Sequence, residues 1–368
     1  MKRNFLTILG ILLVASMFLA ACQPAAAPTA APAEEAALEQ AAEAPAGEQK
    51  VIGLVQINLS HPFHIGEVEG AKEAARRYGF ELKVVSGEDD VNKQIQAFEN
   101  LVNEKVDAIA VNFIDVKAFA PAMEKAKAAG IPVVCLHSQT DGCATVFGFD
   151  EWYTGNEVGK YGTELLKQKN GDYVGKVANL QGLLGQGLNE ARTGGWEEMM
   201  KKYPGIEVVA KEPTGWDPQK AVDITENWLV AYPDLDLIYG NSDGLTVPAG
   251  NTIEQAGKLW DGKAGKAGEQ IIVTSVDGSD FALEAVQNGK MSCTFLYAPE
   301  YTGFWKSWVP FKIASGETVD AEVKIKGTLV TGENVDKILQ LAKDQKEMIQ
   351  EFPFEKSLPE IIEEYMSK

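Results

Sequence analysis

Short apolar runs alternate with longer amphipathic stretches along most of this chain. The first run, residues 51–57, is too short for a helix that buries one face and is typical of a buried strand. Polar residues and a proline follow, and a helical pattern then covers residues 65–78. In open α/β sheets, ligands bind just beyond the carboxyl ends of strands. We therefore expect the loop that carries His61, Phe63 and His64 to form one wall of a ligand site.

The same alternation continues and predicts two similar halves. In the first half we expect strands at residues 51–57, 81–86, 108–112, 131–136 and 145–149, and helices at 65–78, 91–103 and 118–129. In the second half we expect strands at 176–181, 206–211, 237–239, 271–276 and 291–296, and helices at 156–169, 189–202, 218–231, 248–257, 281–288 and 301–314. Short apolar strands alternating with helices indicate parallel sheets with helices on both faces. The predicted fold class is α/β, with two Rossmann-like lobes and a cleft between them.

The start of the chain has the features of a signal for export. Lys2 and Arg3 precede an apolar core at residues 5–20, and small residues precede Cys22. The sequence LAAC that ends at Cys22 resembles the lipobox of bacterial lipoproteins. That resemblance implies that residues 1–21 are removed and that Cys22 is acylated; an ordinary secretory signal is the alternative.

Residues 22–49 predict a disordered tether, because they are rich in Ala, Pro and Glu and contain no aromatic residue. No later run approaches the roughly 18 apolar residues that a membrane span needs. We therefore expect an extracytoplasmic protein that is held at the bacterial cell membrane by its lipid alone.

Charge, cysteines and glycines narrow the function further. The net charge is −19 and the basic residues are not clustered, which argues against nucleic acid as a partner. Cys135, Cys143 and Cys293 remain after the anchor; Cys135 and Cys143 flank a short turn and either pair or stay buried thiols. The Gly-rich loop at residues 182–187 lacks the end of a P-loop and the spacing of a dinucleotide fingerprint. We interpret it as a turn that allows close helix packing.

Several short motifs recur in an order that points to one family. They are SHPFH at 60–64, VDAI at 106–109, AGIPVV at 129–134, NSD at 241–243, VDG at 276–278, NGK at 288–290 and TFLYAP at 294–299. With these motifs, the region from residue 51 to about 329 resembles the type I periplasmic sugar-binding proteins of ABC transporters, the ribose-binding-like group. The tail at 332–368 is not covered by the resemblance, and we expect a helix there from residue 334 to about 351.

The resemblance implies a domain organisation and a mode of action. The first lobe would comprise residues 50–150 plus 298–326, and the second lobe 151–297 plus 327–368. Three crossovers would form a hinge that closes on a ligand, and a membrane permease would then bind the closed form. Such a protein is a monomer that needs no cofactor and catalyses no reaction.

Carried over position by position, the resemblance also implies the ligand contacts. They are His61, Phe63, His64, His137, Asp150, Asn189 or Glu190, Trp216, Asn241, Asp277 and Tyr297, with Asp243 as a weaker candidate. Aromatic rings suit the flat C–H faces of a sugar, and Asp or Asn side chains suit its hydroxyls. For each strand-end Asp the structural alternative is a cap on the next helix.

Departures from the family pattern bear on the ligand. His137 stands where ribose-like members carry Asp, and Tyr297 where they carry Gln, so ribose itself is in doubt. Because we expect no bidentate Arg in the site, we predict a neutral sugar or polyol. A nucleoside or other aromatic-stacked small molecule is one alternative, and a transition metal held by His61, His64 and His137 is another. A hydrolase is disfavoured because no nucleophile elbow is present.

Overall fold

The computed structural model describes residues 49–60 and 62–367. The predicted signal segment, Cys22, nearly all of the tether and His61 lie outside the described residues, as does Lys368. Within the described residues, no helix has both the length and the apolar character to cross a bilayer.

The strands of the described chain form two six-stranded sheets. In chain order they are β1 (Val51–Gln56), β2 (Glu81–Ser86), β3 (Ala108–Asn112), β4 (Val133–Leu136), β5 (Cys143–Phe149), β6 (Val174–Gln181), β7 (Gly205–Pro213), β8 (Leu235–Gly240), β9 (Ile272–Thr274), β10 (Cys293–Leu296), β11 (Glu322–Ile325) and β12 (Thr328–Thr331). The first sheet has the order β11-β5-β4-β3-β1-β2 and the second the order β12-β10-β9-β8-β6-β7. All pairs are parallel except β10 with β12. The α/β class predicted from the alternation is confirmed.

Helices connect most successive strands. They are α1 (Pro62–Tyr78), α2 (Val91–Asn103), α3 (Ala120–Ala128), α4 (Glu151–Asn170), α5 (Gly187–Lys201), α6 (Pro218–Ala231), α7 (Asp243–Gln255), α8 (Asp280–Gln287), α9 (Pro299–Ala314), α10 (Val335–Glu347) and α11 (Leu358–Met366). Side-chain caps fix several of the starts; Asp217, for example, accepts from the backbone N–H groups of Gln219 and Lys220.

The start of α1 differs from the expectation. The helix begins at Pro62, so Phe63 and His64 lie in its first turn, whereas we expected them in a loop. Proline at the first helical position has a preset φ and lacks an N–H that would have no partner there. The two side chains are therefore held on a helix, at the carboxyl end of β1.

The apolar core follows the alternation along the strands. Ile52 and Leu54 point to the face of the first sheet that packs into the larger cluster, which continues into the second sheet. Val55 points to the opposite face, with Phe98 of α2 and Phe119 before α3. The inner strands β1, β3 and β4 are therefore buried on both faces, as is typical of parallel sheets.

Three short connections join the two sheets. They are Asp150 between β5 and α4, residues 297–298 between β10 and α9, and residues 326–327 between β11 and β12. Helix α9 packs on α1, whereas α4 packs on α5. These are the places where we expected the chain to cross between lobes. The lobe boundaries themselves remain a prediction, because sheet membership alone does not define a domain.

Glycines bring the helices that carry the site into backbone contact. A Cβ on Gly70 of α1 would lie 1.8 Å from the carbonyl oxygen of Glu300, and a Cβ on Gly155 of α4 would lie 2.0 Å from that of Arg192. Only glycine permits such a close approach. The α1–α9 pair and the α4–α5 pair therefore set the positions of the polar side chains described below.

Cysteine pairing, which the sequence left open, is settled by the structure. Cys135 at the end of β4 and Cys143 at the start of β5 form a disulfide with a Cα–Cα distance of 5.7 Å. Cys293 is a buried free thiol. The disulfide closes the loop that carries His137.

Candidate functional site

A buried polar cluster lies at the carboxyl end of β1. Glu67 of α1 is wholly buried, and its carboxylate faces the Lys306 Nζ of α9 at 2.5 Å. The same carboxylate accepts from the Gln56 amide at 3.0 Å and lies 2.9 Å from His64 Nδ1. Lys306 and Gln56 are also buried. Polar groups this deep are costly unless paired, so the cluster stands out from the surrounding apolar core.

Electrostatics keep this carboxylate charged. Burial alone would raise the pKa of Glu67, but the Lys306 ammonium and the hydrogen bond from His64 outweigh it and lower the pKa to about 2. Glu67 and Lys306 therefore form an ion pair at neutral pH, with no net charge between them.

His137 lies beside this cluster with an unusual backbone. Its φ is +61°, and its N–H donates to the Phe147 carbonyl at 2.8 Å. Its ring centroid lies 5.0 Å from that of Phe149. Burial, and then the positive charge of Lys306, lower the pKa of His137 to about 3. The imidazole is thus neutral at physiological pH and can donate one hydrogen bond and accept another.

The second sheet presents a buried arginine. Arg192 of α5 donates from Nε and Nη2 to the Glu151 carboxylate at 2.6 and 3.2 Å. Its Nη1 donates to the Asn241 carbonyl at 2.7 Å and to Asp277 Oδ1 at 2.8 Å. We expected no bidentate arginine in the site, and that expectation is wrong. The fork of Arg192 is nevertheless already committed to two carboxylates of the protein.

Asp277 completes this network from the end of the β9 segment. Its backbone has a φ of +122°, its Oδ2 accepts from the Ser242 hydroxyl at 2.7 Å, and its side chain is 30% exposed. An acceptor that is fixed on both oxygens and still reaches solvent can take a further hydrogen bond from a hydroxyl.

Asn189 and Asn241 meet beneath this carboxylate. The Asn241 Nδ2 donates to Asn189 Oδ1 at 2.8 Å and to the Thr193 hydroxyl at 2.9 Å. Both amides are fully buried, yet Asn241 Oδ1 and Asn189 Nδ2 have no hydrogen-bond partner among the described residues. One buried acceptor and one buried donor in neighbouring amides are what a ligand hydroxyl would satisfy.

Trp216 stands at the end of the edge strand β7. Its ring packs flat on Gly182, where a Cβ would come within 2.1 Å of the indole, and its Nε1 donates to Gln186 at 2.7 Å. The Gly-rich loop therefore supports an aromatic ring, whereas we expected it to allow close helix packing. Glu190, the alternative to Asn189, is exposed and accepts from the Gly185 N–H at 3.1 Å.

Two other predicted contacts lie at the connections between the sheets. Asp150 caps α4 by accepting from the Tyr153 N–H at 3.0 Å, which is the structural role named as its alternative. Tyr297 is buried and stacks on Phe149 at 3.7 Å, and its hydroxyl bonds Glu151 at 2.8 Å and Thr154 at 2.6 Å. With these partners, Tyr297 holds the Glu151–Arg192 pair in place.

The structure thus sorts the predicted contacts into groups. Those at the carboxyl edges of the two sheets are His64, His137, Asn189, Asn241, Trp216 and Asp277, with Phe63 packed beside His64. Asp243 is buried against Ser279 and Thr294, and burial raises its pKa to about 7. Sequence reasoning missed Glu67, Lys306 and Glu151, which gave no motif. Arg192 was noted only as a neighbour of an expected position. The ligand contacts themselves remain a prediction.

Charges from the carboxyl edges of both sheets act on the same histidine. The positive charges of Lys306 in the first sheet's layer and Arg192 in the second both contribute to the lowered pKa of His137. A metal site of three histidines was the rival expectation. Among residues 49–60 and 62–367 no group of three or more His, Cys, Asp or Glu side chains could hold a metal ion; His61 lies outside them.

Comparison with known proteins identifies the family. The model of the periplasmic binding protein domain matches residues 52–318. The ribose import binding protein RbsB of Bacillus subtilis is 28% identical over 253 residues, covering 68% of this chain and 77% of that protein. A solute-binding protein of Actinobacillus succinogenes with bound D-allose has a TM-score of 0.69 and 28% identity, covering 78% of this chain and 99% of that one.

A third relative extends the range of bound molecules. A solute-binding protein of Bacillus halodurans with bound myo-inositol has a TM-score of 0.68 and 28% identity, covering 79% of this chain and 97% of that one. The region matched by the family model contains β2 to β10, nearly all of β1 and every predicted ligand contact, and the expected family is confirmed. The chain therefore belongs to the type I periplasmic sugar-binding proteins.

Proposed function

We propose that this protein is the extracytoplasmic solute-binding component of an ABC transporter and captures a neutral sugar or polyol between its two lobes. The observation that carries the proposal is the pair of buried amides, Asn189 and Asn241, beside the exposed edge of Asp277. These groups offer both donors and acceptors to hydroxyls, and they act by binding rather than by bond chemistry.

The charges around the cleft favour a ligand without a charge. Lys306 is neutralised by Glu67, and Arg192 faces Glu151 and Asp277. A carboxylate or phosphate would therefore find no uncommitted cation in this network and would meet Asp277 at close range. A hydroxyl has no such penalty.

The relatives support this ligand class. One relative is a ribose import binding protein, and two others have D-allose and myo-inositol bound; all three molecules are neutral and rich in hydroxyls. Which of these classes the present chain prefers depends on His137 and Tyr297, where it departs from the ribose-like pattern.

We also propose that the folded part works at the outer face of the cell membrane. Membership of a periplasmic binding family implies an extracytoplasmic location, and the disulfide between Cys135 and Cys143 suits an oxidising compartment. Acylation of Cys22 would tether the monomer there, close to the permease. Mass spectrometry of membrane-extracted protein tests this step, since a diacyl or triacyl mass on Cys22 is expected.

The ligand class is tested by thermal shift against pentoses, hexoses, polyols, nucleosides and Zn²⁺. A ligand that binds only the folded state raises the melting temperature, by an amount equivalent to about 2.7 kcal/mol at one hundred times Kd. We expect a response to neutral sugars or polyols alone. The Asp277→Asn variant should lose the response, while Asp261→Asn, at an exposed residue that pairs with Lys263, should keep it. A response confined to Zn²⁺ or to nucleosides would contradict the proposal.

A further inference from the structure

The C-terminal segment after β12, which we call the tail (residues 332–367), contacts helices of both sheets. It lies beyond the region matched by the family model, which ends at residue 318. Its two helices, α10 and α11, pack on each other. We expected the whole tail to belong to the second lobe, and that expectation leaves the contacts with the first sheet's helices unexplained.

On the second sheet's side, the tail is anchored through α10. Val335, Ile338 and Leu341 are buried, and α10 packs against α8 and β12. The Gln287 amide donates to Asp336 at 2.7 Å, and Lys346 lies 3.7 Å from Asp280. This attachment is mainly apolar, with polar contacts at its rim.

On the first sheet's side, Arg77 of α1 is the centre of the attachment. Its Nη2 donates to three tail carbonyls, those of Ile349, Gln350 and Phe352, at 3.2, 3.3 and 2.6 Å. Its Nη1 donates to Glu355 at 2.9 Å. The Arg77 guanidinium is always charged, and its hydrogen bonds to several acceptors hold the tail backbone in one place.

Aromatic packing reinforces that attachment. Phe354 is fully buried and stacks on Phe304 of α9 at 4.7 Å, and the Arg77 guanidinium lies over both rings. The Trp305 Nε1 donates to the Phe354 carbonyl at 3.0 Å, and the Tyr301 hydroxyl donates to that of Lys356 at 2.9 Å. The first sheet's helices therefore grip residues 349–356.

A short turn connects the two attachments. Only residues 348–351 separate the end of α10 from Phe352, and four residues span at most about 14 Å when extended. Helix α11 then returns to α10, where the Tyr365 hydroxyl donates to Asp344 at 2.7 Å. The tail is thus a short, internally braced bridge between the helices of the two sheets.

We propose that the tail is a strap that restrains rotation of the two lobes about their three connections. Rotation that separates the lobes must release Arg77 and Phe354 from the tail, lift α10 from α8, or open the turn at residues 348–351, where the Glu351 N–H donates to the Met348 carbonyl at 3.0 Å. The strap therefore stabilises the arrangement in which Lys306 of the first sheet's layer and Arg192 of the second both lie near His137. The inference goes beyond the proposed sugar binding, since it holds for the protein without any ligand.

The test is the distance between spin labels on the two cleft rims of the ligand-free full chain. Labels at Leu59→Cys and Leu183→Cys use exposed side chains, one from each sheet's layer, and Cys22→Ser in all samples leaves no other accessible thiol. Double electron–electron resonance then compares Arg77→Gln with Arg76→Gln. Both arginines pair with Glu73, but the contacts with the tail belong to Arg77.

We expect a single narrow distance population in the parent and in Arg76→Gln. Arg77→Gln should add a longer-distance population above about 10%, more than the minor state of an ordinary two-state equilibrium. Glu355→Gln changes a side chain that is 41% exposed, so we expect the fold to be preserved and the distances to shift in the same direction by a smaller amount. Superimposable distributions for all four proteins, or a broad distribution already in the parent, would overturn the strap. Neither result depends on which sugar binds.

Discussion

At the scale of single residues, Glu67 is the centre of the buried polar cluster at the carboxyl end of β1. Glu67→Gln leaves the Lys306 ammonium buried without its counter-charge. We expect a loss of about 3–5 kcal/mol in the free energy of unfolding, the usual result of removing one partner from a buried ion pair. Urea denaturation measures it. Glu69→Gln, two residues further along the same helix and exposed beside Lys72, should cost less than about 0.5 kcal/mol.

His137 should make stability depend on pH. Its pKa is lowered from 6.5 to about 3 in the folded chain, so the unfolded state takes up a proton that the folded state does not. Stability from this residue is present above pH 6.5 and is lost as the pH falls toward 3, by up to about 1.4 kcal/mol per pH unit. Unfolding at pH 7.5, 6 and 5 should therefore show a shallower dependence for His137→Asn. Equal slopes for the two proteins would refute a His137 imidazole that stays neutral in the folded chain.

Sequence reasoning at this scale found side-chain types better than side-chain roles. The family resemblance implied Asn241, Asp277 and His137 as contacts, and they lie at the carboxyl edges of the sheets. The partners of Arg192 come from α4, from the β8–α7 junction and from the end of the β9 segment. No local pattern reports a contact among residues so far apart in the chain, so the neutralised arginine was not predictable.

At the scale of elements, the Gly-rich loop acts as a seat for an aromatic ring. Gly182→Ala would place a methyl group inside the indole of Trp216. We expect the ring to be displaced, with a shift in tryptophan fluorescence and a loss of about 1–3 kcal/mol in stability. Gly187→Ala, at the other end of the same loop, meets nothing within 4 Å and should leave both properties unchanged. An unshifted spectrum for Gly182→Ala would mean that the ring does not lie on the loop.

Most elements were predictable because their apolar periodicity is strong. Their ends were less so: α1 begins at Pro62 rather than at residue 65, and α4 begins at Glu151 rather than at 156, because capping and packing extend a helix beyond its apolar stripe. The strands β11 and β12 were not predicted. They are four residues long and exist through pairing with β5 and β10, which is a non-local contact.

At the scale of the whole molecule, the family motifs predicted the two-sheet architecture, but they did not predict the arrangement of the tail. Two parallel sheets with three connections were expected, and the sheets are confirmed. A helix near residue 334 was also expected, but α11 and the contacts with Arg77 were not. Amphipathic periodicity shows that a segment packs on something, but it does not identify the partner surface. The attachment of the tail to helices of both sheets is therefore evident only from the three-dimensional structure.

The central claim is that the cleft accepts an uncharged polyhydroxy ligand and rejects an anion of the same shape. Calorimetric titration of the sugar with the largest thermal response, and of its aldonic acid, tests this claim most directly. We predict one neutral sugar per chain and an acid that binds at least about 100-fold more weakly, a difference of about 2.7 kcal/mol. An acid that binds as tightly as the sugar, or more tightly, would contradict the neutralised network around Arg192 and Lys306.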